Sequence, residues 1–253
     1  MRAGQQRKRN WTSMKTAMNE LTSLCRAALE GSGWAQGDYE DAADAAVWLQ
    51  AVGFGGLEAL DGMLGAQARE QYTVKGAACG EHPARQAPGL AGCVLAFELA
   101  WARATKEGIG VVRVSGALAP RLALHGLKTM SGRSRRFDLS WRDAAGCHFA
   151  WTDGRGLYPT YLGCNARSGA VTGEIVVCCR TSEAIPSPID VEPGLSHEVD
   201  PEELEARHHG AIWNGVDVEP AQLARLVDWK RRVLVAESEA SRTHGAGGSD
   251  DGF

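Results

Sequence analysis

The hydrophobic period of this chain changes once, at Gly108, and that change constrains the fold more than any other feature. Before Gly108, apolar residues recur at the 3.6-residue spacing of helices. Leu21, Leu24, Cys25, Ala28 and Leu29 form one stripe, ended by Gly31 and Gly33. Ala42, Ala45, Ala46 and Leu49 form a second, closed by Gly53. It opens on Asp38 as N-cap with Asp41 three positions on, where negative charge favours the helix dipole. A third face carries Leu57, Leu60, Leu64 and Ala68, and a fourth Leu90, Cys93, Val94, Phe97 and Trp101. The alanine stripe predicts close approach by neighbouring elements. Residues 73–89, rich in Gly, Pro and polar groups, read as a loop.

After Gly108 the period falls to two. Ile109 to Val114 is a β-branched run suited to a buried strand. Phe137, Leu139 and Trp141 alternate with Asp138, Ser140 and Arg142; Cys147, Phe149 and Trp151 then alternate with His148 and Ala150. This predicts a β-hairpin joined by Asp143–Gly146, with one buried face and Cys147 turned inward. A further strand is expected at Glu174–Cys179, after a turn at Asn165–Gly169. Asp200, Pro201 and Glu203 then announce a helix, and Pro220 begins another with Leu223, Leu226, Val227, Val233 and Leu234 on its face.

Helices grouped ahead of strands predict an α+β fold, with an N-terminal helical part packed on an antiparallel or mixed sheet and C-terminal helices. The expected organisation is a disordered basic leader over 1–15, one domain over 16–243 and a flexible tail over 244–253. Within the domain, the helical part spans about 16–105 and the sheet-containing part about 109–236.

Composition narrows the class. A chain of 253 residues, 44% hydrophobic and 23% charged, can bury a core without staples. Its net charge of −4 ranks nucleic acid last among partners, despite Arg2, Arg7, Lys8, Arg9 and Lys15 at the start. No apolar run approaches the roughly 20 residues that cross a bilayer, and no apolar stretch follows the basic start as in a signal peptide. A cytoplasmic protein with no membrane partner is expected, and a homo-oligomer is compatible with the sequence. Seven cysteines, an odd number at irregular spacing, read as buried thiols rather than a disulfide framework.

The chemistry-bearing motifs are sparse. Cys79 and His82 have the spacing of a metal-ligand pair, and Cys147–His148, Cys178–Cys179 and His208–His209 are other candidates. A structural zinc site needs two well-spaced pairs, so no metal site is predicted. There is no G-x-S-x-G elbow, no G-x-x-x-x-G-K-[ST] and no G-x-G-x-x-G after a strand. Two polar clusters stand out. Ser131 to Arg136 offers Arg133, Arg135 and Arg136 with two hydroxyls, a set able to clamp a carboxylate or phosphate. Glu237 to Gly248, after the last apolar helix, combines hydroxyls, Arg242 and glycines as an anion-binding turn would.

Two blocks also carry a family resemblance. The first runs through Asn19-Glu20-Leu21, Cys25 to Ala28, Gly31-Ser32-Gly33, Glu40 to Ala43 and Trp48-Leu49. The second is Glu237 to Arg242 followed by Gly245-Ala246-Gly247. In this order they resemble an uncharacterised bacterial family catalogued only as a domain of unknown function. That family begins Met-Lys-x-x-x-Asn-Glu, which Met14 to Glu20 matches and which makes Met14 an attractive start. The glycine-rich segment after Arg242 is shortened here, and the acidic Asp250-Asp251 is less regular than the family's. The resemblance transfers no activity. It implies that Ser238–Gly247 is more than a tail.

The resulting expectation is a cytosolic protein or enzyme with a site for an anionic metabolite. Ser238, Ser241 and Arg242 would contact the anion, Gly245 and Gly247 would allow close backbone approach, and Arg133 would join them. Glu40 or Asp41 would accept a proton. The sequence names no cofactor and no reaction. The alternative is a non-catalytic assembly or accessory subunit of a metabolic enzyme, with some of the eight tryptophans as interface anchors.

Overall fold

The computed structural model describes residues 13–64, 73–76, 79–82, 89–115, 117, 119–143, 146–164, 174–189 and 197–233. Residues 1–12 of the expected leader, the Asn165–Gly169 turn and the 244–253 tail lie outside them.

The fold is α+β. Eight strands form one antiparallel sheet: β2 (Thr73–Gly76), β3 (Cys79–His82), β4 (Ile109–Ser115), β5 (Arg136–Asp143), β6 (Gly146–Trp151), β7 (Thr160–Cys164), β8 (Ile175–Arg180) and β9 (His197–Val199). Their order is β3-β2-β4-β8-β5-β6-β7-β9. Strands β1 (Met14–Thr16) and β10 (Val216–Val218) pair separately, with Met14 opposite Val218.

Helices α1 (Met18–Gly31), α2 (Asp38–Ala51), α3 (Gly56–Leu64), α4 (Gly89–Glu107) and α5 (Ala123–Met130) come before β5; α6 (Pro201–Asn214) and α7 (Pro220–Lys230) follow β9. Helix α4 lies on β4 and β8, α5 lies on β5, and α2 is central, touching α1, α3, α4, α5 and α6.

The alanine stripe explains that centrality. Ala42, Ala43, Ala45 and Ala46 are completely buried. Gly56, at the start of α3, comes so near that a Cβ there would lie 1.8 Å from the Ala46 carbonyl oxygen. The N-cap of α2 is Gly37, at φ +82°, and not Asp38, which is the first helical residue. The acids of that first turn therefore act through the dipole alone. At α6 the cap is as expected: Asp200 Oδ1 accepts the Glu203 N–H at 2.7 Å.

Two further expectations are corrected. Residues 73–89 hold β2 and β3, because β2 finds a ladder on β4, with Val74 opposite Val114. Pairing from a distant segment supplies what local composition does not. The β5–β6 hairpin exists, but it buries both faces. Asp143 faces Gly146 and Trp141 faces His148, so Phe137, Leu139 and Trp141 share the helix-covered face with His148 and Ala150. Cys147 and Phe149 are buried on the other face, where Phe149 packs with Cys178 and Ile189.

Cys25, Cys93, Cys147, Cys178 and Cys179 are buried thiols. Burial pushes Cys25 and Cys93 up to about 12, so neither is a ready thiolate. No described helix is long and apolar enough to cross a membrane.

Candidate functional site

A cavity of about 330 Å³ opens where β5 ends, between the α2–α3 link and the β5–β6–β7 ladder. Leu49, Phe54, Leu124 and Trp141 give it an apolar wall. Its polar groups are Glu58, Arg121, Asp143, His148 and Tyr161. The link brings Phe54 inward because Gly53 and Gly55 on either side adopt φ of +86° and +64°, values that suit glycine.

Strand register assembles the polar wall. His148 lies opposite both Trp141 on β5 and Gly163 on β7, and Ala150 lies opposite Tyr161. Asp143, His148 and Tyr161 therefore project from one face of three adjacent strands. His148 Nε2 is 3.0 Å from Asp143 Oδ1, and His148 Nδ1 is 2.7 Å from the Tyr161 hydroxyl. With Asp143 ionised, Nε2 carries the imidazole proton. Nδ1 then accepts from Tyr161. Trp141 stacks on the imidazole, centroids 4.7 Å apart and planes 14° from parallel, and Phe54 meets the Tyr161 ring edge-on at 4.6 Å.

Gly163 makes the Tyr161 contact possible. The phenol leans along β7, and a Cβ on Gly163 would lie 2.5 Å from its hydroxyl oxygen.

Arg121, in the 3₁₀ turn Pro120–Leu122, completes the set. Its Nη2 and Nε donate to Asp143 Oδ2 at 3.1 and 3.3 Å, leaving Oδ1 for His148. Its Nη1 reaches the Phe54 carbonyl at 3.4 Å and Glu58 Oε2 at 3.5 Å. The two acids differ: Asp143 is enclosed, whereas the Glu58 side chain is 77% exposed. The arrangement can hold an imidazole in one tautomer, stabilise its protonated form and pass a proton through a phenol.

Of the catalytic and anion-binding residues singled out from sequence, the described ones, Glu40, Asp41 and Arg133, lie elsewhere. Glu40 is half-buried and Asp41 exposed on the first turn of α2, and neither lines this cavity. Partial desolvation, then the charges of Asp44 and Glu40, hold the Asp41 carboxyl above its ordinary range. Arg133 is exposed, donates to the Thr129 carbonyl at 3.1 Å and stacks 5.6 Å over Trp101. Ser238, Ser241, Arg242, Gly245 and Gly247 lie outside the described residues.

Of the metal candidates, the side chains of Cys79 and His82 also lie outside them. Among the described residues no three His, Cys, Asp or Glu side chains cluster as metal ligands would. His208 instead accepts from or donates to the Tyr158 hydroxyl at 2.8 Å. Sequence reasoning missed Arg121, Asp143 and Tyr161, and met His148 only as a neighbour of Cys147.

Residues 16–86 match the family described as Protein of unknown function (DUF3726). The match contains the Asn19–Leu49 block and ends before the Glu237–Gly247 block. The uncharacterised family read from that first block is thus borne out as one of unknown function. No curated protein matches the sequence.

Solved structures match over most of the chain. Malate dehydrogenase from Pyrococcus horikoshii OT3 is similar with a TM-score of 0.65 and 10% identity, over 89% of this chain and 97% of that one. Sulfolactate dehydrogenase from Methanocaldococcus jannaschii gives 0.61 and 11%, over 87% and 97%. A dehydrogenase from Sinorhizobium meliloti gives 0.61 and 10%, over 87% and 100%. At these identities the likeness is one of fold.

Proposed function

We propose that this chain binds a small carboxylate-bearing metabolite in the cavity beside Phe54, and exchanges a proton with it through Tyr161 and His148. The observation that carries the reading is the unbroken Asp143–His148–Tyr161 hydrogen-bond chain on the wall of a half-open, partly apolar space.

Arg121 supplies the anchor. Glu58 covers one of its faces loosely, at 3.5 Å, and is itself mostly in solvent. A ligand carboxylate can displace Glu58, while the enclosed Asp143 keeps the guanidinium in place. A ligand proton α to a carbonyl would pass to the Tyr161 oxygen as the Tyr161 proton moves to His148 Nδ1, the electron pair of the broken bond delocalising onto that carbonyl oxygen. The resulting imidazolium faces Asp143. A cavity of about 330 Å³ is at the small end of ligand sites and suits a short acid. The similar folds named for malate and sulfolactate support an acid of that class.

Calorimetric titration with L-malate and L-lactate tests the reading. Saturable binding is expected, weakened about tenfold or more in Arg121→Gln protein that circular dichroism shows to be folded. Absence of binding for short 2-hydroxy and 2-oxo acids alike would refute it.

A second reading, an accessory subunit, has its own observation. Helix α6 presents Trp213, 85% exposed, next to exposed Ile212. Sedimentation of Trp213→Ser against the parent chain tests it: a smaller species supports assembly through this helix, and an unchanged monomer removes the support.

A further inference from the structure

A second polar cleft lies at the opposite end of β5 from the cavity. Its volume is about 260 Å³, and it is walled by three segments: Ser134–Arg136, Asp153–Arg155 and Arg180–Glu183. Each wall brings arginine to the lining: Arg135 and Arg136 from the first, Arg155 from the second and Arg180 from the third. Ser134, Thr181 and Ser182 also line it; the Thr181 hydroxyl donates to the Gly108 carbonyl at 3.1 Å and the Ser182 hydroxyl accepts the Ala184 N–H at 3.2 Å.

The walls are fixed to one another. Ser134, at φ +56°, donates its N–H to the Gly154 carbonyl at 2.9 Å. Gly154 sits so close to the facing segment that a Cβ would lie 2.9 Å from the Arg135 nitrogen.

The guanidinium groups are under-satisfied. Register places Arg136 directly opposite Arg180, an unfavourable pairing of like charges. Arg180 is 5% exposed; its Nη2 lies 2.6 Å from Asp138 Oδ2, and its Nη1 donates to the Ile185 carbonyl at 2.7 Å. Its buried Nε has no hydrogen-bond partner among the described residues, and the same holds for Arg136 Nε. Among the described residues Arg136 has long ionic contacts, 3.8 Å to Asp138 and 3.7 Å to Glu183, whose side chain is 75% exposed. Arg135 and Arg155 form no ion pair among the described residues.

Asp153 is the carboxylate of the second wall. It accepts the N–H groups of Arg155 and Gly156 at 2.8 Å each, and these bonds, Gly156 first, hold its carboxyl below the ordinary range. Four guanidinium charges thus face three carboxylates, one of which, Glu183, is free to swing into solvent.

We propose that this cleft binds a phosphate group, free or carried by a small organic molecule. A planar carboxylate is satisfied by one guanidinium fork, whereas arginines distributed over three walls suit a tetrahedral oxyanion. Displacing Glu183 leaves an excess of two positive charges, against the roughly −1.5 to −2 that a phosphate monoester carries at neutral pH.

Titration of the full chain at constant ionic strength with inorganic phosphate, glycerol 3-phosphate and acetate tests the site. Both phosphate probes are expected to bind at least tenfold more tightly than acetate. Arg136→Gln and Arg155→Gln should each weaken them about tenfold, the ordinary scale for a lost charged hydrogen bond. Glu183→Gln should tighten them, since it removes the competing carboxylate. Binding unchanged in Arg121→Gln protein assigns the phosphate to this cleft and not to the Phe54 cavity. Tighter binding of glycerol 3-phosphate than of inorganic phosphate identifies an organic carrier, and the reverse identifies the free ion. Acetate bound as tightly as phosphate, or phosphate affinity untouched by Arg155→Gln, would overturn the proposal.

Discussion

Replacing Gly163 by alanine should break the hydrogen-bond chain of the cavity without replacing any of its three members. The added methyl would sit 2.5 Å from the Tyr161 hydroxyl oxygen, 3.0 Å from Cζ and 3.2 Å from Cε1, where ordinary contact begins at 3.4 Å. Restoring contact to the oxygen requires a shift of roughly 0.9 Å, the difference between 3.4 and 2.5 Å. A shift of that size lengthens or misaligns the 2.7 Å bond to His148. The ring cannot pivot freely, since Phe54 meets it at 4.6 Å and Trp141 at 6.1 Å.

The cost combines an overpacked core position, about 1–3 kcal/mol, with a lost hydrogen bond, about 1 kcal/mol. The melting temperature should fall by about 5–15 °C for a chain of this size. A double-mutant cycle isolates the cause. Tyr161→Phe removes the atom at 2.5 Å, so Gly163→Ala should cost at least about 1 kcal/mol less in that background. Denaturant unfolding of the four proteins measures the coupling, and nitrogen NMR of His148 reports the altered acceptor at Nδ1. Equal costs in the two backgrounds, within about 0.5 kcal/mol, would show that Gly163 serves something other than the Tyr161 hydroxyl.

Two further outcomes follow from the packing. A methyl on Gly56 would lie 1.8 Å from the Ala46 oxygen and 2.8 Å from the Gln50 nitrogen, both backbone atoms; Gly56→Ala should therefore part α2 from α3, cost about 3 kcal/mol and weaken ligand binding by moving Phe54, as unfolding and titration would show. His125, 5.6 Å from Trp48, is pushed down to about 4 by desolvation, then by Lys128 and His208. Its folded pKa lies below the unfolded value of about 6.5, so its contribution is complete above about pH 6.5 and is lost as the pH falls towards 4, up to about 3 kcal/mol. Urea unfolding from pH 4 to 7 should give a flatter profile for His125→Phe than for the parent, and parallel profiles would exclude this origin.

The helices were the legible part of the fold. Leu21, Cys25, Ala28 and Leu29 face the core of α1, and Asp200 caps α6, because both signals are local and periodic. What escaped depends on distant partners. Thr73–Gly76 is a strand because β3 and the distant β4 lie on either side of it, and Met14–Thr16 because β10 returns to meet it across some 200 residues. The candidate sites obey the same division. Arg135 and Arg136 were visible as a cluster, but Arg155 and Arg180, which make a cleft of it, belong to two other segments. Glu40 and Asp41 caught attention as adjacent acids, yet a helix start explains them through the dipole.

The site around His148 turns on parity. If the alternating hydrophobics of β5 and β6 are assumed to share a face, Cys147 points inward and His148 to the other side. Because Asp143 stands opposite Gly146, only two residues join the strands, and odd positions of β5 face even positions of β6. One residue more or fewer in that connection would reverse every side chain of β6 relative to β5. The same count decides the companions of His148: Asp143 at the strand end, Trp141 directly across and, through β7, Tyr161 above a glycine that leaves room for its hydroxyl. Both faces of β6 are apolar enough to be buried, so hydrophobicity could not choose between them. An insertion of one residue between Asp143 and Gly146 should accordingly leave much of the helical layer intact while removing His148 from the cavity. Loss of ligand binding with retained helical circular dichroism would fit that account, and retained binding would contradict it.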